Sequence, residues 1–367
     1  VTGALDLPCV LLAGVPIDAV TNESVLDVID ALVADGRRAK RSHQVATVNL
    51  DFLVKASEDP LLRLLLQRTS LNIADGMPLV WGSRAVGEPL GERVAGSDLV
   101  SRLAAESEGR GWRIHLFGGP PGAADRARQT MLERHPGASV SADSGPMIPD
   151  PTDVDGATLE SIASVDADIV CVALGNPKQE RFVAAHLDRL ESPVLIGVGG
   201  SLEMMLGDRR RAPEWVQRIG MEWVVRAAQE PSRLGRRYAH DLRVVGPLAW
   251  AERSRRARGR SGPSLGYRID GRRLVIGPDR GPQPDWNEPV AGTESIDDLE
   301  IDLRGIDELT SSAVTMLVRA LRTAERTSWS VVVSGVGPGA RRAFERDQVV
   351  GLFAPHLDDE ESGGHDT

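Results

Sequence analysis

From residue 8 to about residue 206, short apolar runs alternate with stretches whose apolar residues recur at helical spacing. The runs Val10–Leu12, Gln44–Val48, Leu71–Ala74, Arg113–Phe117, Ser139–Ala142, Ile169–Leu174 and Val194–Val198 have the length and side-chain types of strands. Helical patterns lie between them. One puts Val25, Val28, Ile29 and Leu32 on a single face, with Thr21 or Asn22 as its cap. Another runs from Phe52 to Gln67, and Pro60, which has no N–H to donate, should break it in two. Ala123–Arg134 and Pro177–Leu190 each follow a strand directly. Strands alternating with helices predict an α/β domain with a mainly parallel sheet over residues 1–207. The ligand crevice of such a sheet lies beyond the carboxyl ends of its strands.

The pattern then changes. Residues 208–252 read as a helical appendage rich in Arg and Trp, and residues 253–266, with Ser, Gly, Pro and five arginines by Arg260, read as a linker. Residues 267–357 read as a second, small α/β domain. A hairpin of Tyr267–Ile269 and Arg273–Ile276 around Asp270-Gly271 opens it; strands at Leu299–Leu303 and Ser330–Ser334 flank a helix over Ser311–Thr327. The acidic tail, residues 358–367, reads as disordered.

Composition narrows the classes. With 41% hydrophobic and 26% charged residues, the chain has the make-up of a soluble globular protein. No apolar run reaches the roughly 18 residues a membrane span needs, and Val1 to Val20 lacks the basic start and cleavage site of a signal peptide. A cytoplasmic protein is expected. Cys9 and Cys171 sit in apolar runs, as core residues of a reducing compartment would, and their spacing offers no metal-ligand set. The net charge of −10 argues against nucleic acid as a partner. The charge is uneven, however: between Arg209 and Arg260 fourteen arginines meet only Glu214, Glu222, Glu230, Asp241 and Glu252. That excess predicts a local anionic partner.

Candidate chemistry lies in the loops at strand ends. Thr47-Val48-Asn49 ends one strand and Ala74-Asp75-Gly76 the next. Asp75 either acts as a general base over the crevice or caps a helix beginning near Met77. Gly118-Gly119-Pro120-Pro121-Gly122 precedes a helix; it either brings backbone N–H groups close to a phosphate or makes a ligand-free tight turn. No Gly-Lys-Ser/Thr follows it, so it is not a Walker motif. Gly175-Asn176-Pro177-Lys178-Gln179-Glu180 also joins strand to helix, and Lys178 is one of three lysines in the chain, with Lys40 and Lys55. Gly197-Val198-Gly199-Gly200-Ser201 is a further glycine-rich turn.

Taken in order with Glu92-Arg93-Val94-Ala95-Gly96-Ser97-Asp98, Arg211-Ala212-Pro213-Glu214-Trp215, Glu222-Trp223 and Glu230-Pro231-Ser232-Arg233-Leu234, these segments resemble the WecG/TagA/CpsF family, glycosyltransferase family 26, from about Leu7 to Tyr238. The resemblance implies a Rossmann-like catalytic domain. It implies inverting, metal-independent transfer of a hexosyl group, N-acetylmannosamine or a relative, from a UDP-sugar to a polyprenyl diphosphate-linked sugar, without a cofactor. It casts Asp75 as general base, with Thr47 a second catalytic residue. Asn49, Arg93, Gly118, Gly119, Lys178, Gln179, Gly199 and Gly200 would then serve donor or diphosphate binding. Where relatives often carry Phe-Asp this chain has Leu202-Glu203. Arg211, Trp215, Arg226, Arg233 and Arg237 suit an acceptor or an anionic membrane surface, placing the protein at the inner membrane face.

The second domain resembles a STAS domain through Leu299–Gly305 and Leu309–Leu317. The resemblance implies a protein partner and a phosphorylation site at Ser311, although Thr310 and Ala313 depart from the usual Asp and Gly. A different class, a non-catalytic sugar-nucleotide-binding regulator signalling through the STAS-like domain, remains open at this point.

Overall fold

The computed structural model describes residues 6–206, 243, 265–278 and 295–357. The predicted appendage apart from Arg243, the acidic tail, and all but the last two residues of the predicted linker lie outside the described residues.

The first module opens with β1 (Cys9–Leu12) and β2 (Val15–Asp18), then α1 (Val25–Ala39), β3 (His43–Val48), α2 (Leu50–Glu58), α3 (Pro60–Arg68), β4 (Leu71–Ala74), α4 (Met77–Val86) and α5 (Gly96–Arg110). It continues with β5 (Arg113–Gly118), α6 (Ala123–Arg134), β6 (Ser139–Asp143), α7 (Gly156–Ala163), β7 (Ile169–Ala173), α8 (Lys178–Leu190), β8 (Val194–Gly197) and α9 (Ser201–Met205). Six strands form one parallel sheet in the order β4-β3-β8-β7-β5-β6, a Rossmann-like arrangement. Its central strands are buried on both faces, which is why they read as near-continuous apolar runs. On one face Val45, Ile114, Ile169 and Ile196 pack with Ile29 and Leu32 of α1 and Leu103 of α5. On the other, Val170, Val172 and Leu195 pack with Phe182 of α8 and Ile162 of α7.

Two sequence expectations shift here. The run Val10–Leu12 is not in the parallel sheet; it pairs with Val15–Asp18 in an antiparallel hairpin. Periodicity could not tell these apart, because every residue of both hairpin strands is buried. The cap of α1 is Ser24, locked by reciprocal bonds with Thr21, while the Asn22 side chain donates to the carbonyl of Arg93 instead. The break at Pro60 is as expected: Asp59 ends α2, and its carboxylate accepts from the Leu61 and Leu62 amides to start α3.

The second module contains β9 (Leu265–Asp270), β10 (Arg273–Pro278), β11 (Asp298–Asp302), α10 (Ser311–Thr327), β12 (Ser330–Ser334), α11 (Pro338–Arg346) and α12 (Val350–Phe353). Its separate sheet has the order β12-β11-β10-β9, with β9 antiparallel to β10 and the rest parallel. The hairpin is longer than its sequence signal. Leu265, inside the predicted linker, is buried and paired with Pro278, and the turn falls on Gly271-Arg272 because Asp270 pairs with Arg273.

The modules share structure. Cys9 and Leu11 of β1 lie in the core of the second module, whereas Val10, Leu12, Val15 and Ile17 lie in that of the first. Alternation along the hairpin thus gives each module one of its faces. Around it, α10 buries a row of arginines. Arg322 and Arg326 both bind the Asp18 carboxylate, at 2.6 and 2.5 Å, and Arg319 binds Asp6 at 3.0 Å. Asp18 also accepts the Asn72 amide of β4 at 2.7 Å. Both cysteines are buried and free, and burial pushes their thiols up to about 12.

Candidate active site

Thr47, Asp75 and the backbone of the Arg93 loop lie at the carboxyl edge of β3 and β4. Thr47, in β3, is 5% exposed, and its hydroxyl donates to the Gly197 carbonyl at the end of β8 at 2.9 Å. Asp75 follows β4 directly, half-buried, and its amide donates to the Val48 carbonyl. The N-cap residue of the helix after it, α4, is Gly76 rather than Asp75. The Val94 amide donates to the Ala74 carbonyl, which sets Arg93 one residue from a partner of the strand that ends at Ala74. Asn22 fastens the same loop through the Arg93 carbonyl.

Gly96 explains how the loop approaches. A Cβ there would stand 3.3 Å from Thr47 Oγ1 and Cγ2 and from Ser201 Oγ. The start of α5, Thr47 and the start of α9 therefore converge, and glycine is the residue that allows it.

Gln179 and Glu180 build the floor between β7 and β8. The Gln179 carbonyl oxygen accepts the amides of Gly175 and Gly199, at 3.1 and 2.9 Å, tying two crevice loops together. Its Nε2 donates to Glu180 Oε1 at 2.8 Å. Glu180 is 1% exposed, and burial pushes its carboxyl up to about 7 against the pull of Gln179, Lys55 and Asn176. Among the described residues the buried Asn176 Oδ1 has no hydrogen-bond partner, while Asn176 Nδ2 stands 3.4 Å from Glu180 Oε2. Turning this amide over presents Oδ1 to Oε2, and a protonated Glu180 then donates to it.

The other predicted residues separate. Asn49 caps α2, accepting the Phe52 amide. Gly118 and Gly119 both take left-handed φ, and the Gly119 amide is bound to the Ala173 carbonyl. They end β5, which lies four strands from β4, roughly 19 Å at the usual strand spacing. Lys178 is exposed and reaches the Ile148 carbonyl at 3.4 Å. Gly200 caps α9. Ser311 lies in the other module, 6% exposed, with its hydroxyl donating to Asp347; a phosphoryl group there would press negative charge against that carboxylate. Arg211, Trp215, Arg226, Arg233 and Arg237 lie outside the described residues. Sequence reasoning gave no role to Gly96, Gly197, Ser201 or Glu180, although each stood inside a quoted motif.

Among the described residues, no helix is long and apolar enough to cross a membrane, and no group of three or more His, Cys, Asp or Glu side chains is placed to hold a metal ion. Comparison with known proteins adds the relatives. An N-acetylglucosaminyldiphosphoundecaprenol N-acetyl-beta-D-mannosaminyltransferase of Staphylococcus aureus (strain MW2) is 26% identical over 226 residues, covering 61% of this chain and 86% of the relative. Proteins of the same description from strains NCTC 8325 / PS 47 and COL match at the same identity and coverage. The profile of the glycosyl transferase WecG/TagA/CpsF family matches residues 10–259, more than half of the sequence, and the chain belongs to that family.

Proposed function

We propose that the protein is an inverting hexosyltransferase that moves N-acetylmannosamine or a related sugar from a UDP-sugar to a polyprenyl diphosphate-linked acceptor. The observation that supports this reading is that the backbone segments carrying Thr47, Asp75 and Arg93 are neighbours at one edge of the sheet. Inversion by direct displacement needs a single base. Asp75 takes the proton of the acceptor hydroxyl as its oxygen bonds to the anomeric carbon and the bond to UDP breaks. The leaving diphosphate gathers negative charge. Arg93 meets it in this reading, without a metal, as a planar fork of donors suited to phosphate. Thr47, held by its bond to the Gly197 carbonyl, keeps lone pairs for a substrate hydroxyl. The Arg- and Trp-rich segment would bring the enzyme to the inner membrane face, where its acceptor resides. The STAS-like module would serve as a docking surface for a protein partner.

The test is a panel of UDP-sugars with a short-chain lipid diphosphate acceptor, run on the wild type and on Asp75→Asn and Arg93→Ala. Arg93→Ala should lower kcat by about 10²–10³, the scale of removing one donor from a charge-stabilising site. Asp75→Asn should abolish transfer while the circular dichroism spectrum stays native. Undiminished turnover in Asp75→Asn removes the base from the mechanism.

A further inference from the structure

The seam between the modules holds a half-open pocket of about 310 Å³ at the amino ends of β3 and β4, the opposite edge of the sheet from Asp75. Both modules supply its wall: Arg41 and Arg68 from the first, Arg322, Arg326 and His356 from the second. Glu325 is the carboxylate in that wall, 3.5 Å from His356, and His43 is also exposed to the cavity. Behind the wall, Asp18 serves Arg322 and Arg326 together, and Asp35 is shared by Arg38, Arg41 and His43. Five guanidinium groups thus stand against Asp18, Asp35 and Glu325. The cluster is positive even with both histidines neutral.

A second observation points the same way. The Arg322 side chain is 2% exposed, and its Nη1 and Nη2 bind the Gln67 carbonyl and Asp18. Among the described residues, its Nε is buried with no hydrogen-bond partner. An unbonded guanidinium donor in an interior is costly, and it marks a position where an acceptor belongs. Arg326 Nε, by contrast, is bound to the Ser70 carbonyl. A cavity of this size is at the small end of ligand pockets, enough for a mono- or diphosphate with little beyond it. Converging guanidinium groups match the several oxygens of phosphate better than a single carboxylate.

We propose that this seam binds a small, soluble phosphate-bearing anion through Arg322 Nε and Arg68, clasping the second module to the first at a distance from the crevice. The test uses the full chain and calorimetric titration with pyrophosphate, with sulfate and sodium chloride at matched ionic strength as controls. The crevice is itself read as a diphosphate site, so the variants must tell the two apart. Arg68→Ala, an exposed position, should weaken the seam event about tenfold, the worth of one charge-assisted hydrogen bond. Arg93→Ala should leave that event unchanged and remove only the crevice event. Arg322→Lys, which keeps the charge and lacks Nε, should weaken the seam event to a similar degree, with circular dichroism reporting that it folds. An effect of Arg68→Ala without any of Arg93→Ala supports the seam and counts against the crevice reading. A single event lost in Arg93→Ala and untouched in Arg68→Ala, no event at millimolar pyrophosphate, or equal heats from the chloride control each overturn the proposal.

Discussion

Raising the pH from about 5 to about 8 forces Glu180 to ionise inside the fold. Its carboxyl is 1% exposed, and burial lifts it from an ordinary 4.5 to about 7, more than Gln179, Lys55 and Asn176 together pull it down. The folded protein therefore holds this proton more tightly than the unfolded chain. The resulting stabilisation is complete below about pH 4.5 and is lost as the pH climbs through about 7. Lifting a carboxyl from 4.5 to about 7 is worth roughly 3 kcal/mol. Glu180→Gln removes the ionisation and keeps the geometry: its carbonyl accepts from Gln179, and its amide donates to the turned Asn176. Urea unfolding of both proteins, followed by circular dichroism at a series of pH values, isolates this group, because every other titration cancels in the difference. The stability of the variant relative to the wild type should improve by roughly 3 kcal/mol between about pH 4.5 and pH 8. A difference that stays flat across that range would show that Glu180 is not held neutral, and the account of the crevice floor would fall.

Gly197→Ala should fail for steric reasons. Its Cβ would come within 2.6 Å of Gln179 Nε2 and 3.0 Å of Glu180 Oε1, so the amide that ties the two loops must move, and kcat should fall with little change in secondary structure. Thr47→Val should cost about 1–2 kcal/mol in unfolding experiments by leaving the buried Gly197 carbonyl without its hydroxyl donor, and Thr47→Ser should restore most of it. Asp18→Ala strands two arginines, each 2% exposed, and should destabilise the protein by about 3–5 kcal/mol, read as a lowered urea midpoint. A chain ending at residue 264 should bind a hydrophobic dye and aggregate, since Cys9 and Leu11 lose the core they occupy.

The centre of the parallel sheet was legible because burial on both faces writes its strands as apolar runs, and six of the seven predicted strands of the first module take their places in the sheet. The seventh, Val10–Leu12, is just as apolar for another reason: its two faces belong to two different cores. No local pattern carries that information. The places of Asp75 and Thr47 at strand ends were legible, whereas the shared Asp18 was not. It reads as an ordinary acid after an apolar run, and its partners Arg322 and Arg326 lie some three hundred residues away. Glu180 was hidden for a similar reason. An acid in the first turn of a helix reads as a surface charge favoured by the helix dipole, and only the closing of β8 over it makes it a buried one.

The hairpin that lends one face to each module sets a rule for anyone recombining this protein. The second module cannot be exchanged as a cassette at the boundary its chain connection suggests, because part of its interior is encoded near residue 10. A working graft would have to carry the alternate positions of the first strand, together with Asp6 and Asp18, along with the foreign module. A substitution at Leu11 should therefore have its effect on the module that begins more than two hundred and fifty residues downstream.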